Sequence, residues 1–368
     1  MNGFLAILRK EITQMLRDRA TVFFALAVPV AELILFGVID MNAKHIPTVV
    51  FDQSRSQESR RLIEQLEATS YLDVKQEVFS RADLQHEIVA GRAQVGVEFP
   101  PDFARNQTTG RSADVLILID GSDSSVASQA LAAANGVVMQ QSIRELMAAL
   151  RMTELPVDVH PMMMFNPDMR SANLLIPGLI AILLTFSGTI LSSFAIVKER
   201  ERGTLEQLMV TPVSPLAVVL GKILPYLGLA YIELVIVLIL MVLAFQVPIY
   251  GSVTLLLSLA SVYLLALLSF GLLISSRAQS QMEAMQRAMA IMLPSILLSG
   301  YIFPVGSLPP PLQILSSLLP ATHFIKISRA IIIRGASFGD LWQSVAALLA
   351  ISIVLIAASA RAFQKTIN

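Results

Sequence analysis

The stretch ANLLIPGLIAILLTFSGTILSSFAIVKERERGTLEQLMVTPVSP, residues 172–215, changes character at Val197. Residues 173–197 carry no charge. Crossing about 30 Å of hydrocarbon takes roughly 20 helical residues, so this run is long enough to span a membrane. Five alternating charges follow (Lys198, Glu199, Arg200, Glu201, Arg202), then Gly203, a short apolar-and-acidic patch, and prolines at 212 and 215. A compact, patterned element therefore stands where the chain leaves the lipid.

Working outward, residues 248–276 and 341–360 are equally free of charge, while 20–39 and 223–247 are each interrupted once, by Glu32 and Glu233. The uncharged stretch 288–325 is too long for one simple crossing. It reads as a span over 284–303 followed by a proline-marked segment (Pro304, Pro309, Pro310, Pro311, Pro320) that dips into the membrane or lies on its surface. That makes six spans. Composition agrees: only 15% of the 368 residues are charged, against about a quarter in soluble domains, and the mean hydropathy is +0.67. A net charge of zero without a basic, aromatic-laced patch gives no sign of a nucleic-acid partner. The absence of cysteine excludes disulfides and thiolate metal sites.

Twelve Lys and Arg residues fall on one side of these spans (Arg9, Lys10, Arg17, Arg19, Lys198, Arg200, Arg202, Lys222, Arg277, Arg287, Arg361, Lys365). Outside the large 41–170 segment the other side has three: Lys326, Arg329 and Arg334. The positive-inside rule then puts both termini and the 198–215 stretch in the cytoplasm. A cleaved signal peptide is the competing reading of residues 1–40. The long, acid-containing 9–19 region and the interruption at Glu32 argue against it.

Residues 41–170 alternate strand and helix patterns. IPTVVFD (46–52), YLDVKQEVF (71–79), AQVGVEFP (93–100) and ADVLILID (113–120) read as strands, and 56–68, 82–90 and 123–150 carry helical periods. Asp52, Ser54, Ser56, Asp120, Ser122 and Asp123 sit where strands hand over to helices. Their spacing admits a cation site, but helix caps explain it more simply. At the N-terminus, Phe4, Leu8, Ile12, Met15 and Leu16 share a helix face, with Arg9, Lys10, Thr13 and Arg17 mainly on the other. Such a basic amphipathic helix suits the cytoplasmic headgroup layer, and packing on other protein does not exclude that.

Catalytic signatures are missing. There is no H-E-x-x-H, no G-x-S-x-G and no G-x-x-x-x-G-K-[ST] phosphate loop. The four histidines (His45, His86, His160, His323) form no ligand pair, and a lone His323 near a membrane surface reads as structural. Any ATP-driven work would need its ATPase on another polypeptide. Glu32 and Glu233 lie inside spans, where an ionised carboxylate costs at least about 2.5–3.5 kcal/mol. Both read either as a cation or proton site or pathway wall, or as a neutral or hydrogen-bonded lock between helices; the two readings balance for Glu233, and the lock is favoured for Glu32.

After Gly203, Thr204 can cap a new helix, with Gln207 completing a T-x-x-Q capping box. Leu205, Leu208 and Met209 form one apolar patch, and Pro212 and Pro215 stop the helix. KERERGTLEQLMVTPVSP resembles the cytoplasmic loop of bacterial ABC-2 type exporter permeases, where E-R-E-x-G-T-x-[ED]-x-L forms the coupling helix that docks on a separate ATPase. VGVEFPPDFARN (95–106), LILIDGSDS (116–124), FNPD (165–168), GLLISS (271–276), LLSGYIFPV (297–305) and LPATHFIKISRAI (319–331) extend the resemblance along essentially the whole chain, within the subgroup that carries a large external domain.

The resemblance implies Glu199, Gly203, Thr204, Leu205, Glu206 and Leu208 as ATPase-contact residues. It puts Pro320, His323 and Arg329 in an external segment, where Lys326, Arg329 and Arg334 would line a vestibule rather than set topology. It further implies two ATPase subunits that bind ATP and Mg, with no cofactor on this chain; a second permease, as homodimer or heterodimer; and often a periplasmic adaptor and outer-membrane channel. The expected fold class is membrane α-helical with an inserted α/β domain. An amphipathic interface helix occupies 1–19, spans occupy 20–40, 172–197, 220–246, 252–276, 284–303 and 340–361, and an extracytoplasmic α/β domain occupies 41–170. A cytoplasmic loop with the coupling helix occupies 198–219, external or re-entrant helices 304–338, and a cytoplasmic tail 362–368. The expected function is the permease subunit of an ATP-driven exporter of drugs or other amphipathic molecules in the bacterial inner membrane. An ion-coupled transporter using Glu32 and Glu233, or a membrane sensor with an external ligand domain, are the alternatives.

Overall fold

The computed structural model describes residues 2–40, 44–150, 162–204 and 214–365. The chain divides into two compact units, residues 40–163 and residues 1–39 with 164–368.

In the first unit, β1 (Ile46–Asp52), β2 (Leu72–Glu77), β3 (Val95–Phe99) and β4 (Leu116–Ile119) form a sheet in the order β2-β1-β3-β4. β1 runs parallel to β2 and β3, and β4 is antiparallel to β3. Successive side chains of a strand point to opposite faces. Ile46 and Val50 accordingly pack with Leu62 and Leu66 of α3 (Gln57–Ala68) and Ala130 and Val137 of α6 (Ser124–Leu150). Val49 packs on the other face with Leu84 of α4 (Arg81–Val89). A Cβ on Gly96 would stand 2.5 Å from Leu84, so that glycine lets α4 lie tightly on the sheet. The handover residues act as caps: Asp52 accepts from Arg55 N (2.9 Å), Ser56 Oγ from Ser59 N (3.1 Å), Asp120 from Ser122 N (2.9 Å) and Asp123 from Ser125 N (2.9 Å). A short helix, α5 (Phe103–Thr108), adds Phe103 to the core against Phe99.

The second unit begins with α1 (Asn2–Arg17) and holds, among the described residues, five helices long and apolar enough to cross a membrane. They are α2 (Arg19–Val38); α7 (Ser171–Ser193), continued through a break into α8 (Val197–Glu201); α9 (Pro215–Leu243); α10 (Val253–Arg277); and α14 (Phe338–Lys365). α7 is the axis: 78% of its apolar window is buried, against 17% for α2 and 22% for α14. α2 and α14 instead expose Phe23, Phe24, Leu35, Ile353 and Val354, a surface that suits lipid rather than water. Around α7, Tyr263 of α10 stacks on Phe324 at 4.3 Å between centroids, and its hydroxyl meets Thr185 Oγ1 (2.6 Å) and donates to Ala181 O (2.9 Å).

The element in place of the expected 284–303 span is α11 (Gln281–Leu298). It is shorter than that span and carries Glu283 and Arg287 in its first two turns, so it falls outside the five long apolar helices. Beyond it lie one 3-10 turn (Val305–Ser307), α12 (Pro310–Ser317) and α13 (Pro320–Arg334). Pro310 and Pro320 occupy first helical turns, where the missing N–H costs nothing. Prolines that mark breaks in the sequence here mark beginnings.

α7 and α10 touch backbone to backbone at Gly271, where a Cβ would fall 2.0 Å from Ser192 Oγ and 2.5 Å from Thr189 O. Small residues at such crossings let membrane helices approach closely. Replacing Gly271 with Val is expected to destabilise the purified protein by about 1–3 kcal/mol, read as a lower thermal midpoint in detergent. Gly228→Ala, which meets no heavy atom within 4 Å, serves as the silent control; equal losses for both would refute close α7–α10 packing.

Candidate functional site

The KERERGT segment sits at one end of α7 and is built by local chemistry first. α7 ends at Ser193, and the donors freed by the break are taken by Ser275 of α10, whose Oγ accepts from Ile196 N (2.9 Å) and Val197 N (3.1 Å). One short helix, α8, follows. It closes with Gly203 N on Arg200 O (3.1 Å) and Thr204 N on Glu199 O (3.0 Å). That pair of bonds is the Schellman helix ending, which needs a left-handed residue; Gly203 supplies it at φ +68°.

Each charge of KERE then binds a different element. Lys198 Nζ reaches Asp18 Oδ2 at 2.8 Å, and Asp18 also caps α2 by accepting from Thr21 N (3.2 Å). The Lys198 ammonium holds the Asp18 carboxyl below its usual range. Glu199 is 3% exposed; its Oε1 lies 2.7 Å from Lys10 Nζ of α1 and 3.8 Å from Lys222 Nζ of α9. Lys222, 1% exposed, donates in turn to Glu11 Oε1 (2.7 Å) and Ala195 O (2.9 Å). Arg200 donates to Ala278 O and Ser276 O, free carbonyls at the negative end of α10. Glu201 accepts from the backbone N–H (2.7 Å) and side chain of Gln281, where α11 starts. Arg202 stays exposed.

The result is a hub: an alternating string Lys10–Glu199–Lys222–Glu11, buried at its last three members and open to the surface at Lys10, with straps to α2, α10 and α11. Thr204 points its hydroxyl back at the Glu199 carboxylate and carbonyl. Leu205, Glu206 and Leu208, and with them the expected docking helix, lie outside the described residues.

The remaining expected residues are elsewhere. Near the other end of α7, Arg329 donates to Gly300 O (3.1 Å) and Tyr301 O (3.3 Å), and Ser328 Oγ donates to Pro177 O (2.8 Å). Pro320 starts α13, and His323 Nε2 meets Ser317 O at 2.8 Å, so these residues tie α13 to its neighbours. Glu233 on α9 is 2% exposed, and its Oε1 finds no hydrogen-bond partner. Glu32 on α2 is half-buried and near enough to interact electrostatically with Glu233.

With this geometry in view, the comparison with known proteins is specific. The family described as "ABC-2 family transporter protein" matches residues 19–361. The chain belongs to the ABC-2 transporter family. It is similar to the probable multidrug ABC transporter permease YbhR of Escherichia coli K12, with 30% identity over 98% of each chain. It is also similar to YbhS of the same strain, which carries the same description (28%; 97% of this chain and 93% of the relative), and to its inner membrane transport permease YhhJ (28%; 98% and 96%). The protein is thus a multi-pass membrane permease of an ABC transporter.

Of the residues expected to contact an ATPase, Glu199, Gly203 and Thr204 lie in this network of the permease; Lys10, Glu11, Lys222, Asp18 and Ser275 are not legible as a set in the sequence. Lys222, alone in VVLGKILP, was one available signal. Beside it, a Cβ on Gly221 would meet Ile7 of α1 at 2.8 Å.

Removing one member of a buried ion pair leaves an uncompensated charge and costs about 3–5 kcal/mol. Lys222→Met is therefore expected to lower the thermal midpoint sharply, and Lys222→Met with Glu11→Met to recover most of the loss. A single variant as stable as the parent would show that these charges are not buried together.

Proposed function

We propose that this permease is the membrane subunit of an ATP-driven exporter in a bacterial inner membrane, with both termini in the cytoplasm and residues 41–170 outside. The observation that carries the reading is the KERERGT hub. A segment bound through its charges to α1, α2, α9, α10 and α11 is suited to receive a push and share it among helices. The helix expected after Thr204, with Leu205, Glu206 and Leu208 on it, would dock on a separate ATPase that holds ATP and Mg. In this reading α11 with residues 299–303 supplies the sixth membrane segment, and a second permease completes the pathway. A periplasmic adaptor and outer-membrane channel would extend the route outward.

Amphipathic small molecules, drugs among them, are the proposed cargo. The names borne by YbhR and YbhS support this. So does an apolar cavity of about 180 Å³ edged by the hydroxyls of Thr185, Thr189 and Ser295 beside Phe270, Met292 and Pro320. Drug-sized pockets run to roughly 300–1,000 Å³, so this cavity would have to widen in another state of the cycle.

Gly203→Pro, or Leu205→Glu with Leu208→Glu, is expected to cut ATPase co-purification and substrate-stimulated hydrolysis by on the order of tenfold or more, equivalent to about 1.4 kcal/mol of docking energy. Unchanged values in both variants would sink the coupling assignment.

The unpartnered Oε1 of Glu233 favours a second reading, in which a proton entering by way of Glu32 and Glu233 drives the cargo outward in exchange. Collapsing the proton gradient while ATP is maintained is expected to leave export intact under the first reading and abolish it under the second. Glu233→Gln is expected to be tolerated only under the first.

A further inference from the structure

Beside the hub, a cleft of about 1000 Å³ runs along the polar side of α1. Its charged lining is Arg9, Lys10, Arg17, Lys198 and Arg202 against one carboxylate, Asp18. Lys10 and Lys198 already have partners in Glu199 and Asp18. Arg9, Arg17 and Arg202 are exposed and make no ion pair among the described residues. Three free guanidinium groups thus face one cleft. An apolar groove of about 420 Å³ opens where α1 passes into α2, lined by Leu16, Arg19, Phe23, Leu26 and Val30 with Ile236 of α9. Cleft and groove share the junction at residues 16–19. α2 is a spanning helix, so the groove lies at membrane depth while the cleft lies at its edge.

We propose that the two form a site for one anionic phospholipid, with its phosphodiester in the arginine cleft and an acyl chain in the α2–α9 groove. The proposal rests on the cytoplasmic placement of α1. Guanidinium groups match phosphate oxygens in a forked geometry, and basic pockets beside spanning helices on the cytoplasmic side suit acidic headgroups. An acidic protein surface would satisfy the arginines but has no use for a groove that continues down a spanning helix. Lys10 and Lys198 belong to both cleft and hub, so a bound phosphate would draw on the cations that hold Glu199 and Asp18. The lipid would thereby set how firmly the hub is closed.

The test uses the full-length permease alone in detergent. Native mass spectrometry follows added dioleoyl-phosphatidylglycerol, dioleoyl-phosphatidylcholine and glycerol phosphate. The parent protein is expected to bind phosphatidylglycerol at least about tenfold better than phosphatidylcholine, with the preference eroding as salt is raised. The variant Arg9→Gln/Arg17→Gln/Arg202→Gln is expected to lose that preference while keeping its elution volume. Should the triple variant fail to fold, Arg202→Gln alone and the salt titration of the parent carry the test. Equal binding of both lipids, or an unchanged preference in the variant, overturns the proposal. Glycerol phosphate competing as well as the lipid overturns it in favour of a soluble phosphate ligand. Where the parent binds both lipids equally and a separate pull-down shows the triple variant losing the ATPase, the proposal is overturned in favour of the partner protein. Lipid binding is read without the ATPase, so its failure leaves the coupling assignment standing.

Discussion

The carboxylate of Glu199 is buried between two ammonium groups, and much of the membrane unit is arranged around that fact. Burying charge is costly unless every member is matched. Here the matching requires α1 to deliver Lys10 and Glu11, α9 to deliver Lys222, and the end of α7 to be broken so that α8 can present Glu199. Each contribution is useless without the others. The string therefore fixes where three elements stand, and it does so in a region where apolar side chains alone would let helices slide.

α7 carries that constraint through the unit. At one end it continues into the hub; near the other, Pro177 accepts from Ser328 and Gly178 admits the Arg329 guanidinium, whose Nη2 would stand 3.0 Å from a Cβ there. Between them α7 is gripped by Tyr263 through Thr185 and Ala181 and by the close approach of Gly271. Interiors packed in this way rearrange between discrete arrangements rather than deform smoothly. A displacement applied to α8 would meet a stiff rod whose far end is bonded to α13.

Much of this architecture is legible in the sequence because it rests on local period and hydrophobicity. Uncharged runs gave five long helices, and the alternation of IPTVVFD and AQVGVEFP became β1 and β3 with a covered face on either side. Other features are legible only in three dimensions. Nothing in periodicity joins Glu11 to Lys222 across 211 positions. Lys222 counts as a loop charge in topology arithmetic, yet it is fully enclosed. α11 illustrates a different limit: the uncharged stretch from 288 onward is long, but the helix begins earlier, at Gln281, and ends at Leu298, so its apolar part is short. The Thr204 hydroxyl reads as a forward cap in sequence, and the residues it would cap lie outside the described ones; the charged acceptor behind it, Glu199, is legible only in three dimensions.

The same network explains an asymmetry that net charge conceals. Around the hub two acids are turned inward, Glu11 and Glu199, and Asp18 is held by Lys198 while capping α2; Glu201 alone stays exposed, on Gln281. The partners of the first three are lysines, whose single compact ammonium can be enclosed with few acceptors. The arginines Arg9, Arg17 and Arg202 are left facing outward. A segment with nearly balanced charge in sequence thus folds into a neutral interior and a cationic exterior. At this place folding adds to what composition supplies: the inward pairing removes Glu11 and Glu199 from the surface and leaves Arg9, Arg17 and Arg202 on it.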